Sequence, residues 1–236
     1  GKVSFLGEEI VGISVDSWGV DYVLLDANGD LISPTFHYRD SRNKAASEAV
    51  LEKLPWKEIY EETGLQFIAI NTLFQLAAET PERLTRASRF LPLGDGFNHM
   101  LSGVAKAEVS LVSTTQLYDS RKRAWSSRLA KLSGLRVGQL PEIVPSGTPL
   151  GLLRRELVEE TGLRGATVVA GLSHDTAAAV AAAPAEGEGW AFLSSGTWSL
   201  IGMELDEPLI NEQTREMNFT NEIGHGHSVR FLKNVT

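Results

Sequence analysis

Four neighbouring polar residues, Ser173, His174, Asp175 and Thr176, are the part of this 236-residue sequence best suited to chemistry. Serine, histidine and aspartate make up a hydrolytic triad, but chain neighbours cannot form that relay, which needs groups from separate elements. A metal site on His174 and Asp175 is excluded too, because the other histidines are distant in sequence and no ligands are paired at i, i+4. Two compatible roles are left: Asp175 or Ser173 caps the Ala-rich helix that follows, or Asp175 acts as a base at a strand end.

A second polar cluster, Asp16-Ser17-Trp18-Gly19-Val20-Asp21, interrupts two apolar runs near the start of the chain. It is compatible with a plain strand connection in which Gly19 has a positive φ and Trp18 lies in the core. It is also compatible with a binding loop, in which the backbone at Gly19 approaches a small polyol and Trp18 forms an apolar wall. The local pattern leaves both interpretations open.

A third cluster, Ser194-Ser195-Gly196-Thr197-Trp198-Ser199, lies between two apolar runs and predicts a tight hairpin. Small hydroxyl residues around glycine occur in many turns, so the segment alone indicates only a turn. Exposed backbone N–H groups in such a turn also suit a phosphate. The order of parts favours the second interpretation, because an acidic strand end, a helix and a linker precede this turn.

Short apolar runs predict the strands that position these clusters. The predicted strands cover residues 10–15, 22–25, a short run from Leu31, 167–170, 190–193 and 200–203, with a turn at 27–30. Helical spacing predicts helices over 47–64, 71–78, 81–87, 91–103, 125–134 and 151–162, and an Ala-rich helix after Thr176. Strands that end in polar residues before a helix are where α/β proteins place their sites.

Composition limits the classes of function. The net charge of −8 and the scattered basic residues argue against a nucleic-acid partner. No cysteine is present, so disulfides and thiolate metal sites are impossible, and no apolar run approaches the roughly 20 residues of a membrane span. We therefore expect a cytoplasmic protein with no membrane partner. The oligomeric state is left open.

Several sequence blocks, in a fixed order, carry a resemblance to a known family. They are residues 16–26, Tyr38-Arg39-Asp40-Ser41-Arg42, Gln66-Phe67, Asn71-Thr72-Leu73-Phe74-Gln75-Leu76, Ser173-His174-Asp175-Thr176-Ala177, residues 193–200, Asn221-Glu222 and Leu232-Lys233-Asn234. Together they resemble the FGGY carbohydrate kinase family over essentially the whole chain. The resemblance implies an α/β, ribonuclease H-like (actin-like ATPase) fold, with a mixed sheet, flanking helices and two domains. The first domain, 1–187, would bind the sugar, and 188–236 would begin the nucleotide-binding domain.

The resemblance also implies site residues by position. Gly19, His174, Asp175 and Thr176 would contact a ketose, and Asp175 would be the catalytic base; Thr197 and Asn234 would contact ATP, which acts with Mg²⁺, and no residue is assigned as a metal ligand. The implied reaction transfers the γ-phosphoryl group of ATP to the 1-hydroxyl of L-rhamnulose. The alternatives are a kinase for another ketose, such as xylulose or fuculose, and a non-catalytic ketose-binding fragment.

Two expectations concern parts of the family pattern that this sequence does not match. The family's first phosphate-binding hairpin would precede Gly1, and much of the nucleotide domain would follow Thr236, so we expect this chain alone to be inactive. The block from Tyr38 to Arg42 has no assigned role, and a structural ion pair is one interpretation of it.

Overall fold

The computed structural model describes residues 10–187, 189–196 and 198–235, and it contains both strands and helices along its length. The strands are β1 (Gly12–Ser14), β2 (Tyr22–Leu25), β3 (Arg89–Pro92), β4 (Lys106–Glu108), β5 (Tyr118–Asp119), β6 (Ala124–Trp125), β7 (Glu142–Val144), β8 (Thr148–Leu152), β9 (Thr167–Ala170), β10 (Phe192–Ser195), β11 (Ser199–Leu205), β12 (Thr220–Ile223) and β13 (Val229–Val235). The helices are α1 (Arg42–Lys53), α2 (Trp56–Thr63), α3 (Thr72–Ala77), α4 (Pro81–Arg86), α5 (Leu93–Ser102), α6 (Val109–Val112), α7 (Ser127–Leu132), α8 (Arg155–Thr161), α9 (Asp175–Ala181) and α10 (Glu212–Glu216).

A three-stranded mixed sheet organises the first part of the chain. β1 pairs in parallel with β9, and β9 pairs antiparallel with β8. Because β1 and β9 run in the same direction, the loops that follow them leave the sheet at the same edge. This arrangement confirms the α/β prediction of a mixed sheet with flanking helices, and it brings two of the three polar clusters to one place.

An antiparallel four-stranded sheet, ordered β10-β11-β13-β12, organises the last part of the chain. β10 and β11 form the predicted hairpin, although β10 begins two residues later than the predicted run and β11 is longer than its run indicated. β12 is hydrogen-bonded to the first part of the chain: the Asn221 N–H donates to the Gly64 carbonyl over 3.0 Å, and the Ile223 N–H donates to Ser113 Oγ over 2.9 Å. The two parts therefore share an extensive contact.

Separate apolar clusters hold these layers together. The largest lies among β2, β3 and the helices α1 to α4 and α7, and it includes Phe74, Phe90 and Leu117, which are fully buried. A second fills the space between the three-stranded sheet and its helices, and another joins α9 to the four-stranded sheet through Val180 and Leu232. Burial of these side chains is the main favourable contribution to folding.

The structure corrects the predicted elements where a local feature overrides helical spacing. The helix predicted over 47–64 is two helices, α1 and α2, because Pro55 cannot continue α1. The first residues of the predicted helix over 151–162 belong to β8, which pairs with β9. The short run at Leu31 makes one isolated bridge to Leu25 rather than a strand. Gly64 and Gly103 end α2 and α5 in the left-handed region, as the sequence predicts.

Among the described residues, no helix combines the length and the apolar character that crossing a membrane requires.

Candidate active site

The loops after β1 and β9 run side by side. The Ser17 N–H donates to the Ser173 carbonyl over 2.9 Å, and the Asp175 N–H donates to the Ser17 carbonyl over 2.9 Å. These two bonds extend the parallel pairing of β1 and β9 beyond the strands themselves. The two clusters that the sequence singled out as possible chemistry are therefore direct neighbours.

Asp175 is the first residue of α9, and its side chain is about half exposed. Its Oδ1 accepts a hydrogen bond from the Thr176 N–H over 2.6 Å and another from the Thr176 hydroxyl over 3.2 Å. Partial burial raises the pKa of Asp175, these hydrogen bonds oppose the rise, and the Asp16 carboxylate adds to it. His174 occupies the N-cap position and makes no side-chain cap, so neither Asp175 nor Ser173 is the N-cap residue, although Asp175 does accept one N–H group of the first turn, that of Thr176.

His174 is almost completely buried, and its two ring nitrogens face different groups. Nδ1 lies 2.9 Å from Nη2 of Arg230 and 3.4 Å from Oε2 of Glu222, and Nε2 lies 3.6 Å from Oδ1 of Asp175. Burial lowers the pKa of His174 well below its usual value, and the Arg230 guanidinium lowers it further. Both effects favour the neutral imidazole.

Gly19 is required for close approach and not for its backbone angle. A β-carbon at Gly19 would lie 2.9 Å from Oγ1 of Thr114 and 3.1 Å from its Cγ2. The positive φ predicted for Gly19 occurs instead at Val20, where φ is 70°. Two hydrogen bonds to the Val20 carbonyl hold this strained conformation, from Thr72 Oγ1 over 2.7 Å and from Gln75 Nε2 over 2.9 Å.

Trp18 does not lie in the core, because 45% of its surface is exposed. Its indole Nε1 donates to Oδ2 of Asp21 over 2.8 Å, which fixes the ring beside the loop. Burial raises the pKa of Asp21, and the bond from Trp18 opposes the rise. The interpretation of Trp18 as a core residue is therefore wrong, and the ring forms one wall of a cleft.

A cleft of about 530 Å³ contains most of the predicted site residues. Gly19, His174, Asp175 and Thr176 line one side of it, and Asn234 lines it from the four-stranded sheet. Thr197 lies outside the described residues, but its neighbours Gly196 and Trp198 line the same cleft. Other lining residues are Trp18, Val20, His37, Tyr38, Leu65, Gln66, Ile68, Ile70, Asn71, Thr114, Ala179, Ser194, Leu200 and Glu222.

Sequence reasoning missed the buried polar residues that hold the loop after β9. Oε2 of Glu108 accepts the Ser173 N–H over 3.1 Å, and Oγ of Ser110 accepts the His174 N–H over 3.1 Å. Glu108 and Ser110 are fully buried at the junction of β4 and α6. No motif marks this pair, and more than sixty residues separate it from the loop, so no local signal could have identified it.

The unassigned block from Tyr38 to Arg42 has parts in two environments. His37, just before the block, and Tyr38 line the cleft. Arg42 Nη2 pairs with the buried Glu79 carboxylate over 3.3 Å, and its guanidinium stacks 3.6 Å above the Phe36 ring. Arg42 therefore has the surroundings of the predicted structural ion pair, whereas Tyr38 faces the cleft.

The described residues gather no set of three or more side chains that could hold a metal ion. Magnesium that accompanies a nucleotide is held mainly by phosphate oxygens and waters and needs few protein ligands.

Sequence comparison supplies the class of protein to which this fold and cleft correspond. Residues 2–182 match the N-terminal domain of the FGGY family of carbohydrate kinases, so the chain belongs to that family. Among similar curated proteins are the rhamnulokinases of Enterococcus faecalis, 39% identical over 234 residues, and of Bacillus subtilis, 38% identical over 234 residues. These alignments cover 99% of this chain but only 47% and 48% of the two relatives, so the chain spans about half their length.

Solved structures share the fold at low identity. A xylulose kinase from Rhodospirillum rubrum superposes with a TM-score of 0.84 at 18% identity, over 96% of this chain and 46% of that protein. A glycerol kinase from Plasmodium falciparum, solved with ADP, superposes with a TM-score of 0.81 at 16% identity, over 99% of this chain and 49% of that protein. The predicted ribonuclease H-like, actin-like ATPase fold is therefore confirmed.

Proposed function

We propose that this chain contributes the sugar cleft and the opening of the nucleotide-binding domain of an ATP-dependent kinase. The protein transfers the γ-phosphoryl group of ATP to the 1-hydroxyl of L-rhamnulose, in rhamnose catabolism. The sugar-binding domain covers 1–187, and the nucleotide-binding domain begins at 188. The rhamnulokinase relatives support the choice of sugar.

The observation that carries the proposal is that the proposed ketose contacts and a proposed nucleotide contact line the same cleft. The proposed ketose contacts, Gly19 and the segment from His174 to Thr176, face the same space as the proposed nucleotide contact Asn234. Phosphoryl transfer needs the acceptor hydroxyl and the donor phosphate in one line, so both substrates must share one cleft. A half-exposed carboxylate, Asp175, lies within it.

In the proposed reaction Asp175 accepts the proton of the sugar's 1-hydroxyl while the hydroxyl oxygen forms a bond to the γ-phosphorus of ATP. The bond from that phosphorus to its bridging oxygen breaks, and ADP leaves with the electron pair. Partial burial raises the pKa of Asp175, which makes its carboxylate a better proton acceptor than an exposed aspartate. Mg²⁺ on the nucleotide neutralises phosphate charge. Trp18 and the surrounding apolar residues exclude water, which would otherwise compete as the acceptor.

Replacing the proposed base tests the proposal. In the full-length protein we expect Asp175→Asn to lower kcat by orders of magnitude while the Kd for L-rhamnulose stays within about tenfold, because an amide keeps the shape but cannot accept the proton. A coupled ADP-release assay and calorimetric titration measure the two quantities. Asp30→Asn, the same change in an exposed turn, is the matched control. Near wild-type turnover by Asp175→Asn would overturn the assignment of the base.

A substrate panel separates the proposed sugar from the alternatives. We expect the highest kcat/KM for L-rhamnulose. If kcat/KM is clearly higher for xylulose or fuculose, that sugar is the substrate instead. Ketose binding without turnover by the full-length protein would favour a binding module. The expected inactivity of this chain alone is checked in the same assay, where turnover at ordinary kinase rates would contradict it.

A further inference from the structure

A buried ion pair in the four-stranded sheet contacts Nδ1 of His174. Arg230 and Glu222 are directly opposite each other on β13 and β12, with Nη2 of Arg230 2.9 Å from Oε2 of Glu222. Arg230 has no exposed surface, and Glu222 is almost fully buried. The same Nη2 lies 2.9 Å from Nδ1 of His174. The pair therefore connects the second sheet to the loop after β9.

This contact determines which nitrogen of His174 carries the proton. A guanidinium has only donors and is not deprotonated in proteins, so Arg230 donates and Nδ1 of His174 must be the acceptor. A neutral imidazole that accepts at Nδ1 carries its hydrogen on Nε2. Nε2 is the nitrogen that faces the proposed base, 3.6 Å from Oδ1 of Asp175, which lines the cleft.

We propose that Arg230 and Glu222 are positioning residues that hold His174 as a neutral imidazole protonated on Nε2. His174 then presents a hydrogen-bond donor to the cleft, where it suits a hydroxyl or carbonyl oxygen of the bound sugar. Glu222 orients the guanidinium and partly balances its charge. The contact with the sugar rests on the proposed kinase function, whereas the tautomer does not.

The neutral state of His174 also preserves the basicity of Asp175. A protonated imidazole at 3.6 Å would form an ion pair with the Asp175 carboxylate and favour its ionised form, which would weaken it as a proton acceptor. The Arg230 cation opposes that protonation. The charged groups around His174 are Arg230, Glu222 and Asp175, with the buried Glu108 beneath the loop.

Stability alone does not account for this pair. Nε and Nη1 of Arg230 are buried and have no hydrogen-bond partner among the described residues. A buried ion pair with unsatisfied donors can be replaced by apolar or neutral groups without loss of stability. We therefore expect the double variant Arg230→Met with Glu222→Gln to be at least as stable as the wild type in urea unfolding.

Nitrogen-15 NMR of the wild-type chain tests the tautomer without any substrate. We expect His174 to show an unprotonated Nδ1 and a protonated Nε2, with a pKa displaced well below that of an ordinary histidine. Loss of the signal in His174→Gln assigns it among the five histidines. A proton on Nδ1, or titration near the ordinary histidine pKa of about 6.5, would overturn the proposal. Either result stands whether or not the protein is a ketose kinase.

Variants that change the charges of Arg230 and Glu222 test whether those charges determine the protonation of His174. In Arg230→Met the buried Glu222 carboxylate faces His174 without its partner, so the pKa of His174 rises and it becomes protonated at higher pH. In the full-length protein, the acidic limb of the kcat/KM profile then moves to higher pH. Adding Glu222→Gln removes both charges, so it should return the acidic limb toward its wild-type pH and restore a neutral imidazole, although the Nε2 tautomer then lacks the Arg230 donor that holds it. If the acidic limb of the double variant lies at the same pH as that of Arg230→Met, the shift comes from altered packing and not from charge.

The single variant Glu222→Gln completes the test if Arg230→Met does not fold. It keeps the donor on Arg230, so we expect the wild-type tautomer and a His174 pKa displaced as in the wild type in the NMR spectra. A proton on Nδ1 of His174 in this variant would contradict the role given to Arg230.

Discussion

Gly19 shows how one small residue shapes the cleft wall. Its α-carbon lies so close to Thr114 that no side chain fits without displacement, and Thr114 Oγ1 also accepts the Val20 N–H over 3.3 Å. The loop after β1 is therefore placed by contact with Thr114, two residues after the end of α6. Any change that separates these segments should alter the cleft beside Trp18.

We expect Gly19→Ala to lower the free energy of unfolding by about 1–3 kcal/mol, because its methyl group would overlap Thr114. Urea unfolding measures the loss, and adding Thr114→Ser, which removes the crowding Cγ2, should recover part of it. Gly138→Ala is the control, since a β-carbon there meets no atom within 4 Å. Equal effects of Gly19→Ala and Gly138→Ala would contradict the close-approach argument.

Glu79 joins three other side chains in a buried network. Its carboxylate accepts from Tyr22 over 2.6 Å and pairs with Arg42 over 3.3 Å and Arg83 over 2.7 Å. Removal of one partner from such a network leaves the other charges desolvated. We expect Glu79→Ala to cost about 3–5 kcal/mol in urea unfolding. Glu82→Ala, an exposed change in α4, should cost less than about 0.5 kcal/mol, and similar losses for the two would contradict the network.

Individual helices in this fold are short, so their ends contribute much of their local stability. α7 has six residues, and the hydroxyl of Ser126 caps it by accepting the Leu129 N–H over 3.0 Å. Ser126 itself is buried, whereas Ser127 is exposed. A cap of this kind replaces a hydrogen bond that the first turn of a helix lacks.

We expect Ser126→Ala to destabilise the chain by about 1 kcal/mol, because it leaves the Leu129 N–H without its acceptor. Ser127→Ala makes the same chemical change one residue later and should be nearly neutral. Thermal unfolding by circular dichroism compares the two variants. A midpoint that falls equally in both would mean that the cap contributes nothing specific.

The four-stranded sheet is attached to the first part of the molecule through Asn221. Its backbone N–H and its Nδ2 both donate to the Gly64 carbonyl, over 3.0 and 2.9 Å, and its Oδ1 accepts the Leu209 N–H over 2.8 Å. The Tyr60 hydroxyl adds a bond to the Phe219 carbonyl over 3.1 Å. The domain division at 187 and 188 stays a prediction, and the bonds to Gly64 and from Tyr60 cross it.

Because these bonds join the two predicted domains, we expect the chain to unfold in one cooperative transition. Tryptophan fluorescence and circular dichroism should then give coincident unfolding curves in urea. Asn221→Ala should lower the midpoint, at a cost of about 1–3 kcal/mol, since buried backbone groups lose their partners. The exposed Asn28→Ala is the matched control. Two separate transitions in the wild type would mean that the parts fold independently.

Local patterns were sufficient for the strands and helix ends that depend on neighbouring residues. The apolar runs at 22–25 and 167–170 form β2 and β9, and Gly64 ends α2 in the left-handed region. Helical spacing failed over 47–64 because periodicity does not register the proline in its middle. Family resemblance, not periodicity, indicated that Gly19 and Asn234 belong to one site, and both line the cleft.

The chain sequence was enough to single out Asp175 and His174, because residue type and position after a strand are local properties. It could not show the state of His174, which depends on Arg230, 56 residues away in the chain. It also could not show that the positive φ falls on Val20, which bonds from Thr72 and Gln75 hold in place. Protonation and backbone strain are set by buried charges and hydrogen bonds from distant segments, and only folding brings those groups within bonding distance.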